Sequence, residues 1–240
     1  MAPRRSPQGR NAGRRVPAPR ISEEERRRTI LRAAVDVFAR KGYHGCRISD
    51  VAKEAQVAYG LVYHYFRNKE ELLQSVFELA WGGFVTRVQE VAQSNIPVAV
   101  QVRRICELAF DAYQVDPRGV RVILLEIARS PVGAQVNRQS AFAQIIGIGR
   151  EMFERGVQRG DIREGLAPKL CAALMFGAVE MGLTAFITGV MDAEEASQVL
   201  RAREQLAESL LRGMLSPDAL AAASLSPAPS ALRMKTARRS

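Results

Sequence analysis

The sequence ISDVAKEAQVAYGLVYHYF, from Ile48 to Phe66, contains two short helical patterns separated by three residues. In the first pattern, apolar residues recur at intervals of three and four, which puts them on one helix face. These residues are Ile48, Val51, Ala52 and Ala55. Val62 and Phe66 repeat the spacing after Gln56-Val57-Ala58, and so short a connection makes two helices cross steeply. The stretch therefore predicts a helix-turn-helix.

The second helix of this pair carries an unusual outward face, opposite Val62. A solvated helix face consists mostly of Lys and Glu, whereas this one consists of Tyr59, Gly60, Tyr63 and His64. Tyr and His form hydrogen bonds, and glycine lets a partner approach the backbone closely. We predict that this helix binds double-stranded DNA, with Tyr59 and His64 contacting bases and Tyr63 contacting phosphate.

Residues 30 to 77 resemble the DNA-binding domain of TetR-family transcriptional regulators. The resemblance rests on Asp50-Val51-Ala52, Ala55, Val57, Gly60, Tyr63, Phe66, Lys69-Glu70 and Leu72. It implies an N-terminal domain of three helices and a fourth helix that connects this domain to a ligand-binding and dimerisation domain. It also implies that the protein is a transcriptional regulator that binds operator DNA.

Three positions differ from the residues that the family usually has. Arg47 and Ala58 replace residues that cap the two helices, and a lost cap costs about 1 kcal/mol. Gln56 replaces a glycine in the turn, where a left-handed backbone conformation would cost about 1 kcal/mol. Because a guanidinium can bind O6 and N7 of guanine together, we predict that Arg47 reads a base. The alternative is an ion pair with Asp50 or Glu54.

Lys69 is a further candidate for contact with DNA. It follows Asn68, which is predicted to form a capping box with Glu71 at the start of the fourth helix. A cation is unfavourable at a helix N-terminus unless an anion is bound nearby. The family has a phosphate contact at the matching position. We therefore predict that Lys69 binds a DNA phosphate.

The positive charge of the chain is concentrated at its two ends. The 240 residues carry a net charge of +10, of which residues 1 to 20 contribute +6 and residues 216 to 240 contribute +3. Both segments are rich in Arg, Pro, Ala or Gly, and we predict that they are disordered tails that attract phosphate non-specifically. The remaining residues have ordinary composition and few strand patterns, which predicts an all-α protein.

Two folded domains are predicted between the tails. Residues 21 to 92 form the helix-turn-helix domain with its connecting helix, and residues 93 to 215 form the ligand-binding and dimerisation domain. Helical patterns in the second domain span residues 100–113, 119–129, 137–156, 168–189 and 192–215. Glycines within them, at 147, 149, 177 and 182, predict close helix approach or space for a ligand.

The last two helices are the predicted homodimer interface, because in the family these elements form a four-helix bundle with their mates. The residues proposed for this interface are Ala172, Ala173, Gly177, Gly182, Leu206, Leu210 and Leu211. The alternative is that they pack within one subunit. A dimer is expected because two recognition helices, about one DNA turn apart, match a palindromic operator.

The second domain resembles the branch of the family that controls fatty-acid degradation and senses long-chain acyl-CoA. The resemblance rests on Leu124-Leu125-Glu126, on GVQRGDIREGL from Gly156 to Leu166, and on Phe176-Gly177. An acyl chain needs an apolar tunnel, and a CoA head needs arginines at its mouth. The predicted effector-binding residues are Arg103, Phe110, Arg121, Ile127, Arg129, Phe142, Ile146, Phe176 and Glu180. Ordinary core packing is the alternative for the aromatic residues, and Glu180 suits a cationic drug or a hydrogen bond within the bundle.

Nothing in the sequence predicts an enzyme, a cofactor or a metal site. The three cysteines are far apart and only two histidines are present, so neither zinc ligands nor disulfides are indicated. A nucleophile with an adjacent base and a Gly-rich phosphate loop are also missing. The most apolar run, Leu170 to Val190, has Glu180 at its centre, which favours a buried helix over a membrane span.

The sequence thus predicts a cytoplasmic repressor that a small apolar effector, such as long-chain acyl-CoA, releases from a palindromic operator. A repressor that senses drugs or other small molecules is one alternative. An architectural DNA-binding protein, held on DNA by its basic tails, is another.

Overall fold

The computed structural model describes residues 22 to 127, 138 to 193 and 195 to 225. These ranges contain helices and one isolated β-bridge, between Ile162 and Leu215, so the all-α prediction is confirmed. The helices are α1 (Glu23–Gly45), α2 (Ile48–Glu54), α3 (Tyr59–Tyr65), α4 (Lys69–Gln93), α5 (Val98–Val115), α6 (Pro117–Arg121), a π-helix (Val122–Ile127), α7 (Arg138–Gln158), α8 (Pro168–Ile187), α9 (Ala196–Met214) and α10 (Pro217–Leu225).

Helix α1 begins at a capping box formed by Ser22 and Glu25. The Glu25 backbone N–H donates to Oγ of Ser22 (3.1 Å), and the Ser22 N–H donates to the Glu25 carboxylate (2.8 Å). Gly42 interrupts the helix with φ 70°, a left-handed conformation that suits glycine. Residues within the segment itself therefore set both the start of α1 and its break.

An apolar core joins α1, α2, α3 and the first half of α4. Val51, Val62 and Phe66, which define the helix-turn-helix pattern, are each at most 1% exposed. Burying such a side chain contributes about 1.5–3 kcal/mol. Since these residues hold α3 by its inner face, the opposite face is left for contact with a partner.

The turn between α2 and α3 contains a residue in the left-handed region, as the sequence predicted. Gln56 has φ 55°, and it is the single non-glycine residue with positive φ in the part of the chain that the structure describes. Its N–H donates to the Lys53 carbonyl (3.2 Å), and the Val57 N–H donates to that of Ala52 (3.0 Å). These bonds keep the tight turn in spite of the strain at Gln56.

A second apolar core joins the C-terminal half of α4 with α5, α7, α8 and α9. Glycine permits a close helix contact in this core, because a Cβ added to Gly149 would lie 2.8 Å from Cβ of Ala172 and 2.9 Å from a ring carbon of Phe176. A Cβ on Gly182 would lie 3.1 Å from Leu206. The close approach predicted for the glycines is thus confirmed at these two positions, whereas Gly147 and Gly177 face open space.

Helix α8 is long and apolar enough to cross a membrane by length and composition, with a mean hydropathy of 1.9. Among the described helices it alone passes this test, and 44% of its most apolar window is buried inside the protein. It packs against α5, α7 and α9. Packing against three helices of the protein is typical of a core helix. The charge of Glu180 favours the same interpretation over a membrane span.

Two predicted boundaries are wrong. The helix expected over residues 119–129 is instead α6, capped by Asp116 through the Gly119 N–H (2.9 Å), followed by the π-helix. The tail expected from residue 216 begins with α10, whose Leu220 packs against the second core. A short amphipathic segment forms a helix when a core covers its apolar side, and composition alone did not reveal that cover. The tail predicted over residues 1 to 20 lies outside the described residues.

The segment after α5 reaches across to the first core. Val122 of the π-helix is fully buried there, although the sequence assigned it to the second domain. Arg118 of α6 forms an ion pair with Asp36 of α1 (2.6 Å). The two cores are therefore joined by α4 and by the region from α6 to the π-helix.

Candidate functional site

The structure places the four predicted recognition residues together on the exposed face of α3. Tyr59 and Tyr63 are 54% and 44% exposed, which is unusual for such large aromatic side chains, and Gly60 and His64 are also exposed. No atom outside the helix lies within 4 Å of the Cβ position of Gly60, so a partner can approach the backbone there. Contact of these residues with DNA itself stays a prediction.

Tyr59 and Tyr63 are held in a defined arrangement before any partner binds. Their hydroxyl groups are hydrogen-bonded at 3.2 Å, and their rings meet edge to face with centroids 5.1 Å apart. The hydrogen bond with Tyr59 raises the pKa of Tyr63 above its ordinary value. The Tyr63 hydroxyl therefore keeps its proton at neutral pH and can donate it to a phosphate or base acceptor.

Arg47 is exposed beside this face. Neither acid offered as its alternative partner binds its guanidinium, because Asp50 pairs with Lys41 (2.8 Å) and Glu54 pairs with Arg40. The Asp50 carboxylate instead accepts from the Arg47 backbone N–H (2.9 Å). Hydrogen bonds from Lys41 and from this N–H lower the pKa of Asp50. No ion pair joins the Arg47 guanidinium to Asp50 or Glu54 among the described residues, so a contact with DNA stays a prediction for this guanidinium.

The ammonium group of Lys69 has a role that the sequence did not predict. It donates hydrogen bonds to the carbonyls of Tyr43 (2.8 Å) and Cys46 (3.0 Å), in the link between α1 and α2. It also lies 4.2 Å from the centre of the Tyr43 ring, a cation–π contact. A phosphate contact stays a prediction for its third N–H group.

Asn68 caps α4 as predicted, but the capping box is shifted. The Glu71 N–H donates to Oδ1 of Asn68 (2.8 Å), whereas the Glu71 carboxylate accepts from the N–H of Arg67 (2.7 Å). The turn between α3 and α4 is thus held at both ends by Glu71 and Asn68. The Arg67 side chain is 91% exposed and close to α3. Sequence reasoning passed over it, although a basic residue in this turn is a signal for phosphate contact.

Arg27 supports α3 from behind, and no local pattern pointed to it. Its guanidinium lies 5.4 Å from the centre of the Phe66 ring and donates to Oγ of Ser75 (3.3 Å). The contact ties α1 to the end of α3 and to α4. Its partners are 39 and 48 positions away in the chain, so spacing within a helix could not reveal it.

Three of the predicted effector residues lie in the second core. Phe110, Ile146 and Phe176 are buried, and the Phe110 ring meets that of Phe186 edge to face at 6.4 Å. Glu180 is half-buried on α8. Ile127 is the last residue of the π-helix, and Arg129 lies outside the described residues. Binding of an effector by these residues stays a prediction.

Two of the arginines predicted at the mouth of the effector site bind other groups of the protein. Arg103 pairs with Glu208 of α9 at 2.9 Å, and Arg121 donates to the Ile187 carbonyl at the end of α8 (3.1 Å). Each guanidinium thus joins two helices of the protein. Phe142 is 57% exposed and lines no buried tunnel. It lies in the first turns of α7, before the part of that helix that α8 covers at Gly149.

The exposed face of α8 is apolar, and it differs in part from the predicted interface. Leu170, Leu174 and Met181 are each at least half exposed, with Ala173 and Gly177 between them. Of the other residues proposed for the interface, Ala172 and Leu211 are buried, and Gly182, Leu206 and Leu210 pack toward the second core. These residues pack within the same subunit, because α8 contacts α5 and α7 and α9 contacts α5 and α8.

The three cysteines are buried and unpaired, as the sequence indicated. Burial raises the pKa of Cys46, Cys171 and Cys106, that of Cys106 to about 12. These thiols therefore stay protonated at neutral pH and behave as small apolar side chains.

Comparison with known proteins agrees with this geometry. Residues 30 to 76 match the family described as bacterial regulatory proteins, tetR family. The fatty acid metabolism regulator protein of Bacillus subtilis (strain 168) is 30% identical over 158 residues, covering 66% of this chain and 81% of that protein. The similarity therefore extends well beyond the helix-turn-helix.

Solved structures give the same result for the fold. The transcriptional regulator FadR from Bacillus subtilis, in complex with stearoyl-CoA, has a TM-score of 0.69 and 28% identity, covering 78% of this chain and 98% of that chain. The fatty acid degradation regulator FadR from Bacillus halodurans has a TM-score of 0.71 and 25% identity, covering 80% and 97%. The chain belongs to the tetR family of bacterial regulatory proteins.

Proposed function

We propose that this transcriptional regulator is a homodimeric repressor that leaves a palindromic operator when a long-chain acyl-CoA binds to its second core. The observation that carries the DNA-binding part is the outward face of α3. Tyr59, Tyr63 and His64 are exposed there, and Val62 is buried on the opposite face. Membership of the tetR family supports the same role.

Sequence reading needs base contacts, and position on DNA needs phosphate contacts. Tyr59, His64 and Arg47 are proposed as the base-reading residues, and Tyr63 as a phosphate contact. All four are exposed, and the guanidinium of Arg47 has no ion pair among the described residues. Two copies of this short face are required to specify an operator.

The exposed face of α8 supports the proposed dimer. Leu170, Leu174 and Met181 follow one another along this face at helical spacing and are each at least half exposed. Contiguous apolar surface of this kind marks an interaction site. A second copy placed on the same face by a two-fold axis would bury it and would set the distance between the two α3 helices.

The proposed effector rests on the relatives. The Bacillus subtilis relative is named as a regulator of fatty acid metabolism and the Bacillus halodurans FadR as a regulator of fatty acid degradation, and the structure of FadR from Bacillus subtilis holds stearoyl-CoA. A ligand that enters the second core can act on α3 because Val122 and the Arg118–Asp36 ion pair connect that region to the first core. Its effect is limited by the difference between its affinities for the two conformations.

A footprint on the promoter next to the gene tests this proposal. We expect protection of a palindrome, and loss of protection on adding stearoyl-CoA but not CoA alone. Replacing Tyr63 and His64 with alanine should abolish protection, whereas the control Gln205→Ala, on the exposed side of α9, should leave it unchanged.

The outcomes separate the parts of the proposal. Protection that is indifferent to stearoyl-CoA would reject this effector and leave the DNA role intact. Protection that requires stearoyl-CoA would reject repression by the free protein. Full protection by the Tyr63 and His64 variant would reject α3 as the reading helix.

A further inference from the structure

Trp81 lies where the two apolar cores meet. Its ring stacks on Phe77, a member of the first core, with centroids 5.6 Å apart and planes at 15°. Its ring centroid also lies 5.9 Å from that of Phe84, which packs against the second core. A ligand that binds at Trp81 therefore touches both the DNA-binding half and the effector half of the molecule.

The indole N–H of Trp81 is buried and has no hydrogen-bond partner among the residues that the structure describes. Buried Trp N–H groups usually find an acceptor, and an unpaired buried donor costs about 1–3 kcal/mol. The aromatic neighbours Phe77 and Phe84 provide no oxygen. An acceptor supplied by a bound molecule would remove this cost.

The backbone around Trp81 supports a ligand site. Val122 and Ile123 of the π-helix pack in the same core as Trp81, and single turns of π-helix occur frequently at functional sites. Gly82 and Gly83 follow Trp81 directly, and no atom outside the helix lies within 4 Å of their Cβ positions. Two glycines lower the helix propensity of α4 by about 1 kcal/mol each. The helix is therefore easiest to bend next to this donor.

We propose that the Trp81 indole N–H donates a hydrogen bond to an oxygen at the polar end of an apolar effector chain. The acceptor is a thioester carbonyl in an acyl-CoA or a carboxylate in a free fatty acid, and both present this chemistry. This inference rests on the proposed function, since it names a residue that recognises the effector.

The chain has one tryptophan, which makes a direct test possible. In protein labelled with nitrogen-15, the single indole N–H gives a single resonance. We expect it to move downfield on adding stearoyl-CoA and to be unaffected by CoA alone. Titration with stearate in parallel distinguishes the two acceptors, since a shift with stearate assigns the carboxylate as a ligand as well.

Production in a tryptophan auxotroph supplied with β-(3-benzothienyl)alanine replaces Trp81 alone by a ring of the same shape that lacks the N–H. Calorimetry should then show roughly tenfold weaker binding of stearoyl-CoA, whereas the Tm of the free protein should not fall, because the N–H has no partner there.

Equal affinity of both proteins for stearoyl-CoA would overturn the role of Trp81 and leave the proposed effector standing. A lower Tm of the substituted free protein would also overturn it, because the N–H would then have a partner within the chain. If the unsubstituted protein binds neither stearoyl-CoA nor stearate, the proposed effector and the role of Trp81 both fail.

Discussion

Replacing Lys69 with methionine tests whether this side chain stabilises the helix-turn-helix or only binds DNA. The ammonium group donates to the carbonyls of Tyr43 and Cys46 at 2.8 and 3.0 Å. Both carbonyls lie in the link that follows the break in α1 at Gly42. Methionine keeps an apolar stem against Tyr43 and removes both donors and the charge.

The expected loss follows from these two bonds. A hydrogen bond that involves a charged group contributes about 1.5–3 kcal/mol when buried, and Lys69 is half-buried, so water replaces part of this. We therefore expect the free energy of unfolding to fall by about 2 kcal/mol for Lys69→Met. For a chain of this length, that is a decrease in Tm of about 4–8 °C.

Thermal unfolding and the salt dependence of operator binding are the two assays. Each phosphate contact contributes about 0.9 to the slope of log affinity against log salt concentration. If the third N–H of Lys69 also reaches a phosphate, two copies in a dimer should lower the slope by about 2. The control Lys53→Met removes an exposed ammonium that has no ion pair among the described residues, and it should leave Tm unchanged.

An unchanged Tm for Lys69→Met would refute the structural role derived from the two carbonyl bonds. If the salt slope fell at the same time, Lys69 would act on phosphate alone. A lower Tm with an unchanged slope would show that Lys69 acts only by holding the link between α1 and α2.

Four further predictions concern the turn, the second core, the dimer and acid stability. Gln56→Gly should raise the free energy of unfolding by about 0.5–1 kcal/mol in urea titration, because φ 55° strains a residue with a Cβ more than it strains glycine. Gly149→Val should lower the Tm strongly or prevent folding, because even its Cβ would lie 2.8 Å from α8. Met181→Glu should shift sedimentation from dimer to monomer, since it places a charge on the exposed apolar face of α8. Glu208→Gln should reduce the loss of Tm in acid. Hydrogen bonds from Arg212 and Arg103 lower the pKa of Glu208. The Glu208 carboxylate therefore stabilises the folded protein above pH 4.5, the ordinary pKa, and this stabilisation is lost as pH falls through the lower pKa of the folded protein.

The first three of these have matched controls. Gln56→Ala keeps the Cβ and should give no comparable gain. Gly147→Val faces open space and should fold. Val157→Glu adds a charge to an exposed position on α7 and should leave the dimer intact. Equal effects of control and test at any of these sites would contradict the reason given for it, as would an unchanged acid profile for Glu208→Gln.

The helices and the recognition face could be predicted because their causes are local. The helical spacing of Val62 and Phe66 puts them on the face of α3 opposite Tyr59 and Tyr63. This spacing predicts which face is buried without knowledge of the helices that pack on it. The Ser22 cap and the break at Gly42 likewise depend on residues within a few positions. Hydrogen bonds within a helix join residues that are four positions apart. The positions of the helices can therefore be inferred from the spacing of residues along the chain.

Which side chains of the second domain are buried and which are exposed could be predicted only in part, because side chains far apart in the chain decide it. Phe142 and Phe176 are both apolar, yet the cover of neighbouring helices leaves the first exposed and buries the second. The Arg103 guanidinium pairs with Glu208, 105 positions away.

The sequence by itself therefore determined an all-α regulator whose α3 presents aromatic and polar groups outward. The tertiary structure alone decided that Lys69 holds the α1–α2 link and that Trp81 joins two cores with its N–H unpaired. The physical reason is that burial and the partner of a polar atom are set by how helices pack against one another, and periodicity along one helix carries no record of its neighbours.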